Sequence, residues 1–176
     1  MSFLNIEIKA YCPDPQVAEQ YLLQAGARYA GLDTQVDTYF HVPDGRLKLR
    51  RGQIENNLIY YRRPDQEGPK ASSFLLYPVQ ESEKLETILT ASLGVKVVVE
   101  KRRKIFFLEH TKFHIDEVPG LGHFVEIEVS NLHHPTLAEA QMQEDCQNYM
   151  KALGIETHHL LCRSYSDMLL ELQGRS

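Results

Sequence analysis

The feature that most constrains this chain is a repeated alternation of apolar and charged side chains with a period of two residues. Near the N-terminus Asn5, Glu7 and Lys9 alternate with apolar residues, and Glu126 and Glu128 do so in a later segment. A period of two is typical of a β-strand with one buried face and one polar face. The chain is therefore predicted to build a sheet whose second face carries charge.

The same pattern continues along the chain and predicts about eight strands and four helices. Strands are predicted over residues 3–9, 27–39, 46–51, 58–63, 73–79, 95–108, 112–116 and 124–129. Helices are predicted from an Asp14 N-cap and Pro15 to Gly26, from a Ser82 cap to Gly94, from Pro135 to Leu153, and from Ser164 to Leu172. Polar loops are predicted over residues 52–57 and 64–70. Hairpin-length connections indicate an α+β fold with an antiparallel sheet that either stays open or closes into a barrel.

The polar faces of these strands are sorted by the sign of their charge. The pairs that share a polar face are Lys48 with Arg50, Tyr60 with Arg62, Lys101 with Arg103, His114 with Asp116, and Glu126 with Glu128. An ordinary antiparallel sheet with one solvated face is the simplest explanation for any one pair. Such a face mixes signs along each strand, however, so that neighbouring charges offset one another. Sorted charges instead favour a closed barrel whose interior has a cationic side and an acidic side.

An interior of this kind suits a polyanionic ligand. Lysine and arginine bind phosphate groups, lysine as a point charge and arginine through a two-pronged fork. Carboxylates repel phosphate unless a hard divalent cation lies between them, and the Glu126-x-Glu128 pair directs two carboxylates the same way. The pattern therefore predicts phosphate binding with Mg²⁺ or Mn²⁺, and phosphoryl chemistry.

Composition excludes several other classes of protein. The 176 residues carry a net charge of -5, so no global positive field would hold nucleic acid or an acidic membrane. The length suits a single domain over residues 1–176. The three cysteines are odd in number and lack zinc-site spacing, which predicts reduced thiols in a cytoplasmic protein. No signal sequence or membrane-spanning run is evident in the sequence.

Several motifs, in order along the chain, resemble those of the CYTH superfamily, also called triphosphate tunnel metalloenzymes. The segment from Asp116 to Glu128 reads DEVPGLGHFVEIE and is very close to the family pattern DExxGLGxFxExE. The other matching segments are Asn5 to Lys9, Gln35 to Phe40, Leu47 to Arg51, Tyr60 to Arg62, Glu100 to Arg103, and Arg163 to Tyr165. The family includes class IV adenylyl cyclases, thiamine triphosphatases and inorganic triphosphatases.

The resemblance implies an eight-stranded antiparallel tunnel with helices packed outside, and it assigns roles to individual residues. The implied metal ligands are Glu7, Asp116, Glu126 and Glu128, for Mg²⁺ or Mn²⁺. The implied substrate-binding residues are Lys9, Lys48, Arg50, Arg62, Lys101, Arg103 and Arg163. Asp116, Lys101 and Arg103 are the implied catalytic residues. The implied partner is a small triphosphate, namely ATP, thiamine triphosphate or inorganic triphosphate, and relatives suggest a homodimer.

Departures from the family pattern leave the reaction open. Asn5 replaces the first glutamate of the N-terminal signature and removes one anionic oxygen, and the His-Phe pair of some cyclases is absent. Three hypotheses follow: an adenylyl cyclase, a triphosphatase acting on thiamine triphosphate or inorganic triphosphate, and a non-catalytic polyphosphate binder. Tyr39 and Tyr60 are candidates to stack on a base, although barrel packing also explains them. His114 is either a proton carrier or a structural residue of the interior.

Overall fold

Eight antiparallel strands close into a barrel in the computed structural model, which describes residues 2–62 and 69–174. The strands are β1 (Ser2–Tyr11), β2 (Arg28–Phe40), β3 (Arg46–Arg51), β4 (Asn57–Arg62), β5 (Lys70–Pro78), β6 (Val95–Leu108), β7 (Thr111–Val118) and β8 (Gly122–Ser130). Around the barrel their order is β1-β5-β4-β3-β2-β6-β7-β8. The predicted closed barrel is thus confirmed. Most of the loop predicted over residues 64–70 lies outside the described residues.

Four α-helices in the described ranges pack against the outside of the barrel. They are α1 (Pro15–Gln24), α2 (Ser82–Leu93), α3 (Glu139–Ala152) and α4 (Tyr165–Leu172). Helices α1 and α3 cover β1, β7 and β8, helix α2 covers β2 and β3, and helix α4 covers β6. No helix among the described residues is long and apolar enough to cross a lipid bilayer.

Two predicted helix starts are wrong. Glu81, and not Ser82, is the N-cap of α2, and its side chain makes no capping hydrogen bond. Helix α3 begins at Glu139, four residues after Pro135, because the preceding backbone is tied in turns in which Leu137 N–H donates to His134. The Asp14 cap is confirmed, since its carboxylate accepts hydrogen bonds from two backbone N–H groups of the first turn of α1.

The largest apolar core lies between the barrel and helices α1 and α3. Ile6, Phe113 and Ile127 point outward from β1, β7 and β8 and are buried against Leu22 and Met142 of the helices. Burying each such side chain contributes about 1.5–3 kcal/mol. Because alternate residues of a strand point to opposite faces, this packing directs the charged residues of the same strands into the barrel.

Helix α4 closes one end of the barrel. Ser164 and Asp167 form a reciprocal capping box at its start, with bonds of 3.2 and 3.0 Å between each side chain and the other residue's backbone N–H. Tyr165, which follows Ser164, is buried against Tyr39 and Phe124. The helix therefore brings a phenol ring and a serine to the end of the tunnel.

Candidate active site in the tunnel

The barrel encloses a cavity of about 340 Å³ that most strands reach with polar side chains. The charged residues that line it are Glu7, Lys9, Asp37, Lys48, Arg50, Glu55, Lys101, Arg103, Glu109, Lys112, Glu126 and Glu128. These are six cations and six carboxylates among the described residues. The lining thus holds equal numbers of cations and carboxylates, and many of them form ion pairs with one another.

Strands β3 and β6, which lie on either side of β2, carry the cationic wall, which consists of Lys48, Arg50, Lys101 and Arg103. Asp37 on β2 accepts hydrogen bonds from three of them, with distances of 3.0 Å to Lys48 Nζ, 2.8 and 2.9 Å to Arg50, and 2.7 Å to Lys101 Nζ. Burial alone would raise the pKa of Asp37, but the three cations hold it well below its usual range. Asp37 therefore stays ionised and keeps three cationic groups within reach of one point.

Arg103, the fourth member of the cationic wall, crosses to the acidic side. Its guanidinium donates to Asp116, 2.7 Å from Nε to Oδ1, and to Glu126, 2.9 Å from Nη2 to Oε2. Asp116 also accepts a hydrogen bond of 2.8 Å from Tyr165. All four side chains are buried, and Lys9 completes the cluster with a 2.8 Å ion pair to Glu126.

One group of side chains has the geometry to hold a metal ion. Ligand atoms of His114, Glu126 and Glu128 all lie within 4.8 Å of one another. His114 Nδ1 is 3.1 Å from Glu126 and 3.6 Å from Glu128. Burial and the positive charge of Arg103 lower the pKa of His114, which keeps its imidazole neutral at pH 7.

This donor set fits a divalent cation. Carboxylate oxygens are the ligands that Mg²⁺ and Mn²⁺ prefer, and a neutral imidazole can add a nitrogen ligand. The other ring nitrogen of His114, Nε2, is buried and lacks a hydrogen-bond partner. His114 was predicted only as a proton carrier or structural residue, so its place beside the two glutamates is a finding of the structure.

Most residues expected from the family resemblance do meet in the tunnel. Those that line the cavity are Glu7, Lys9, Lys48, Arg50, Lys101, Arg103, Glu126 and Glu128. Glu7 lies directly opposite Glu128 in the β1–β8 pairing but is outside the three-residue metal group. Asp116 is bonded by Arg103 and Tyr165 and is also outside the three-residue metal group.

Two expected substrate-binding residues point away from the tunnel. The side chain of Arg62 is 65% exposed and pairs with Asp44 and the Tyr60 hydroxyl on the outer surface. The reason is the register of β4, which turns Ile59 and Tyr61 inward and therefore turns Tyr60 and Arg62 outward.

Arg163 is also outside. Its side chain is 55% exposed and pairs with Glu171 of helix α4. The helix anchors through Ser164 and Tyr165, so the residue before them remains on the solvent side.

Sequence reasoning did not identify several residues that line the tunnel, among them Asp37, Glu55 and Lys112. Asp37 belongs to a motif of the family resemblance, and it also shares a strand face with Asp33 and Gln35, a pattern that predicts an interior position. Glu55 lies in a loop and carries no periodic signal, yet its carboxylate bonds Arg50 at 2.8 Å and pairs with Lys112. Lys112 begins the strand predicted over residues 112–116 and shares an alternating face with His114 and Asp116, a signal that also places it in the interior.

Comparisons with known proteins agree with this architecture. The model of the CYTH domain matches residues 4–165. A protein of Methanocaldococcus jannaschii, provisionally named an adenylate cyclase, is 28% identical over 97% of this chain and 99% of its own length.

Two solved structures share the fold. A provisional adenylate cyclase from Vibrio parahaemolyticus has a TM-score of 0.75 at 17% identity, covering 94% of this chain and 97% of its own. A provisional adenylyl cyclase from Hippeastrum is described as having a dominant triphosphatase activity. It has a TM-score of 0.58 at 15% identity, and the match covers 98% of this chain and 97% of the Hippeastrum chain. With a family match over most of its length and a closed tunnel of paired charges, the chain belongs to the CYTH domain family.

Proposed function

We propose that this protein is a divalent-metal-dependent enzyme that converts a triphosphate bound inside the tunnel, with cyclisation of ATP to cyclic AMP and pyrophosphate as its reaction. The observation that carries the proposal is the juxtaposition of a metal-competent group with a cationic wall. Arg103 spans the two, since it bonds Glu126 of the metal group and belongs to the wall. Metal and phosphate would therefore meet at one place.

In this proposal the tunnel residues have three roles: they bind the metal, bind the phosphates or position the carboxylates. His114, Glu126 and Glu128 would hold the cation, which when bound supplies charge neutralisation at the phosphate oxygens. Lys48, Arg50 and Lys101 would bind the triphosphate and stabilise the charge that develops on the leaving group. Lys9 and Arg103 would keep the carboxylates in place.

In the cyclase reaction the 3′ oxygen of ATP forms a bond to the α-phosphorus, and the bond from that phosphorus to the bridging oxygen breaks. Pyrophosphate leaves with the electron pair, and the hydroxyl proton passes to solvent. The M. jannaschii relative, similar over nearly its whole length, supports this choice through its name.

Hydrolysis is the second candidate, because it needs the same site with water as nucleophile. The dominant triphosphatase activity described for the Hippeastrum structure, which has the same fold, favours it. Thiamine triphosphate and inorganic triphosphate are the substrates to compare with ATP.

The test incubates the purified protein with Mg²⁺ or Mn²⁺ and, separately, ATP, thiamine triphosphate and inorganic triphosphate, and resolves the products by chromatography. Cyclic AMP with pyrophosphate confirms the cyclase, whereas orthophosphate makes the protein a triphosphatase. Binding of triphosphate without any product would overturn the enzymatic proposal and leave a polyphosphate-binding protein.

A paired substitution tests the site. Glu126→Gln with Glu128→Gln should reduce metal-dependent turnover at least about a hundredfold, since both anionic metal ligands become neutral. Arg62→Gln is the matched control, because that arginine lies on the outer surface and turnover should stay within about twofold of the wild type. Unchanged turnover in the double variant, with a circular dichroism spectrum like the wild type, would refute the site assignment.

A further inference from the structure

One side of the tunnel carries no charge among the described side chains. The residues of β4 and β5 that line the cavity are Asn57, Ile59, Tyr61, Phe74 and Leu76. We call Ile59, Tyr61, Phe74 and Leu76 the apolar wall. The metal-competent group and the cationic wall lie on other strands.

Two aromatic rings form the centre of the apolar wall. Tyr61 and Phe74 are direct partners in the β4–β5 pairing, and their rings are stacked with centroids 5.2 Å apart and planes 12° from parallel. Both rings line the cavity. Tyr61 is buried, whereas Phe74 is only partly buried and is the more accessible of the two. The pair offers a rigid flat surface at the cavity.

Leu76 extends this surface with an unusual exposure for a residue that lines a barrel interior. It is 37% exposed, while Ile59 beside it on β4 is buried. Apolar surface left in contact with water inside a cavity is unfavourable, and a ligand that covers it gains that free energy.

The apolar wall adjoins the phosphate-binding residues. Lys48 Nζ lies 5.6 Å from the ring centroid of Tyr61 and 5.5 Å from that of Tyr39, and it also bonds Asp37 at 3.0 Å. A ligand bound at Lys48 thus has phosphate groups on one side and aromatic rings on the other.

We propose that the apolar wall binds a planar heteroaromatic ring of the substrate, so that the substrate is an organic triphosphate and not inorganic triphosphate. The inference rests on the proposed function, because it takes the phosphate chain to lie on the cationic wall. A nucleobase and the rings of thiamine share this chemistry, and the experiment below distinguishes them. The sequence offers Tyr60 only as a candidate to stack on a base, with barrel packing as the alternative. The register of β4 places Tyr60 outside, and Tyr61 lines the cavity instead.

The experiment titrates the full chain by calorimetry, in the presence of Mn²⁺, with ATP, thiamine triphosphate and inorganic triphosphate, and checks each ligand by chromatography afterwards. Phe74→Ala should weaken binding of the organic substrate about tenfold or more, the range of base stacking on an aromatic side chain. Binding of inorganic triphosphate should change less than about twofold, since it makes no stacking contact. Phe74→Tyr should retain wild-type affinity because it keeps the ring.

Two further variants guard against a purely structural effect. Tyr77 lies on the same strand as Phe74, but it is 67% exposed on the outer face of the barrel. Tyr77→Ala should therefore leave the affinities for all three ligands unchanged. Leu76→Ala removes an accessible contact and should weaken only the organic ligands, which keeps the test valid if Phe74→Ala fails to fold.

The outcomes separate the two proposals. If inorganic triphosphate binds as tightly as both organic ligands, or if Phe74→Ala weakens all three alike, the apolar wall does not select the substrate, while the proposed function stands. If none of the three ligands binds, the proposed function is overturned and the inference falls with it.

Discussion

At the scale of single residues, Asp37 organises the cationic wall. Its two oxygens bond Lys48, Arg50 and Lys101 within 3.0 Å, and all four side chains are nearly buried. Like charges placed this close would repel strongly in a medium of low polarity. The carboxylate offsets that repulsion and fixes the positions of the cations before a ligand arrives.

Removing the charge of Asp37 should therefore destabilise the fold. Asp37→Asn leaves buried cations without their shared anion, a change that costs about 3–5 kcal/mol in buried ion pairs. Urea denaturation measures the free energy of unfolding. The control is Asp44→Asn, whose exposed ion pair with Arg62 should contribute less than about 1 kcal/mol. Equal stability of the two variants would contradict the role of Asp37.

Lys101, another residue of the cationic wall, should make the stability of the fold depend on pH. Burial lowers its pKa from the ordinary value of 10.5 to about 7, although the nearby Asp37 attracts the charged form. Between these two values the unfolded chain holds the proton and the folded chain has released it, so this residue makes the fold more stable as pH rises.

The prediction compares wild type with Lys101→Met by urea denaturation from pH 6.5 to 9.5. The stability of the wild type relative to the variant should increase with pH, because only the wild type has this group to titrate. A constant difference across the range would show that Lys101 has an ordinary pKa.

Alternation along the strands was enough to predict which charged residues of β1, β3, β6 and β8 enter the tunnel. It failed for Arg62, because Leu58 to Tyr61 are apolar or aromatic on both faces and the pattern does not choose between them. Asp116 was placed on the correct strand face, but the hydrogen bond that it accepts from Tyr165 depends on the position of helix α4, and these two residues are 49 positions apart in sequence. Contacts of this kind require the tertiary structure.

At the scale of elements, the loop between β3 and β4 is held by Asp33. This buried carboxylate accepts backbone hydrogen bonds from Gln53, Ile54 and Glu55 at 2.7, 3.1 and 3.0 Å. A Cβ at Gly52 would lie 2.5 Å from Asp33, so the close approach requires glycine. The loop is fixed in a position that inserts Glu55 into the tunnel.

Glu55 should act as an internal competitor of the phosphate chain. Burial would raise its pKa, but Lys112 and Arg50 lower it well below the usual range, so its carboxylate is charged. Glu55→Gln should strengthen binding of inorganic triphosphate about fivefold or more, because it removes a negative charge beside two cations. Calorimetry at fixed salt measures the affinity.

The matched control is Glu86→Gln, which removes a carboxylate that pairs with Arg51 outside the tunnel and should leave the affinity unchanged. Weaker binding after Glu55→Gln would mean that Glu55 positions Arg50 and Lys112 for the ligand and does not compete with it.

Among the elements themselves, strand β6 was predicted with its observed bounds, whereas helix α3 was predicted four residues too long at its start. A long strand with one buried face can be predicted from sequence because the alternation of apolar and polar residues is repeated many times along it. A helix start depends on local capping and turns, and the turns before Glu139 are set by contacts such as the 2.9 Å bond from Leu4 N–H to Asn131.

At the scale of the whole molecule, the described part of the tunnel is lined by as many carboxylates as cations. The sorted strands had predicted a cationic side and an acidic side, and the structure adds that Asp37 lies within the first and Lys9 within the second. A triphosphate brings several negative charges into this balanced interior. Its entry is favourable only if further positive charge accompanies it or if carboxylates such as Glu126 and Glu128 are neutralised.

A divalent cation held by His114, Glu126 and Glu128, as proposed, would meet that requirement, and we therefore predict that metal controls binding itself and not only turnover. Chelation of divalent ions should weaken the affinity for inorganic triphosphate at least about tenfold, equivalent to about 1.4 kcal/mol. In the Glu126→Gln, Glu128→Gln variant the two carboxylates no longer repel the ligand, so the affinity should depend much less on metal. Calorimetric titrations of both proteins, with Mn²⁺ and with a chelator, measure the four affinities. Equal affinity of the wild type in the two conditions would show that the cationic residues alone hold the triphosphate, as expected of a binding protein whose carboxylates serve only to position the cations.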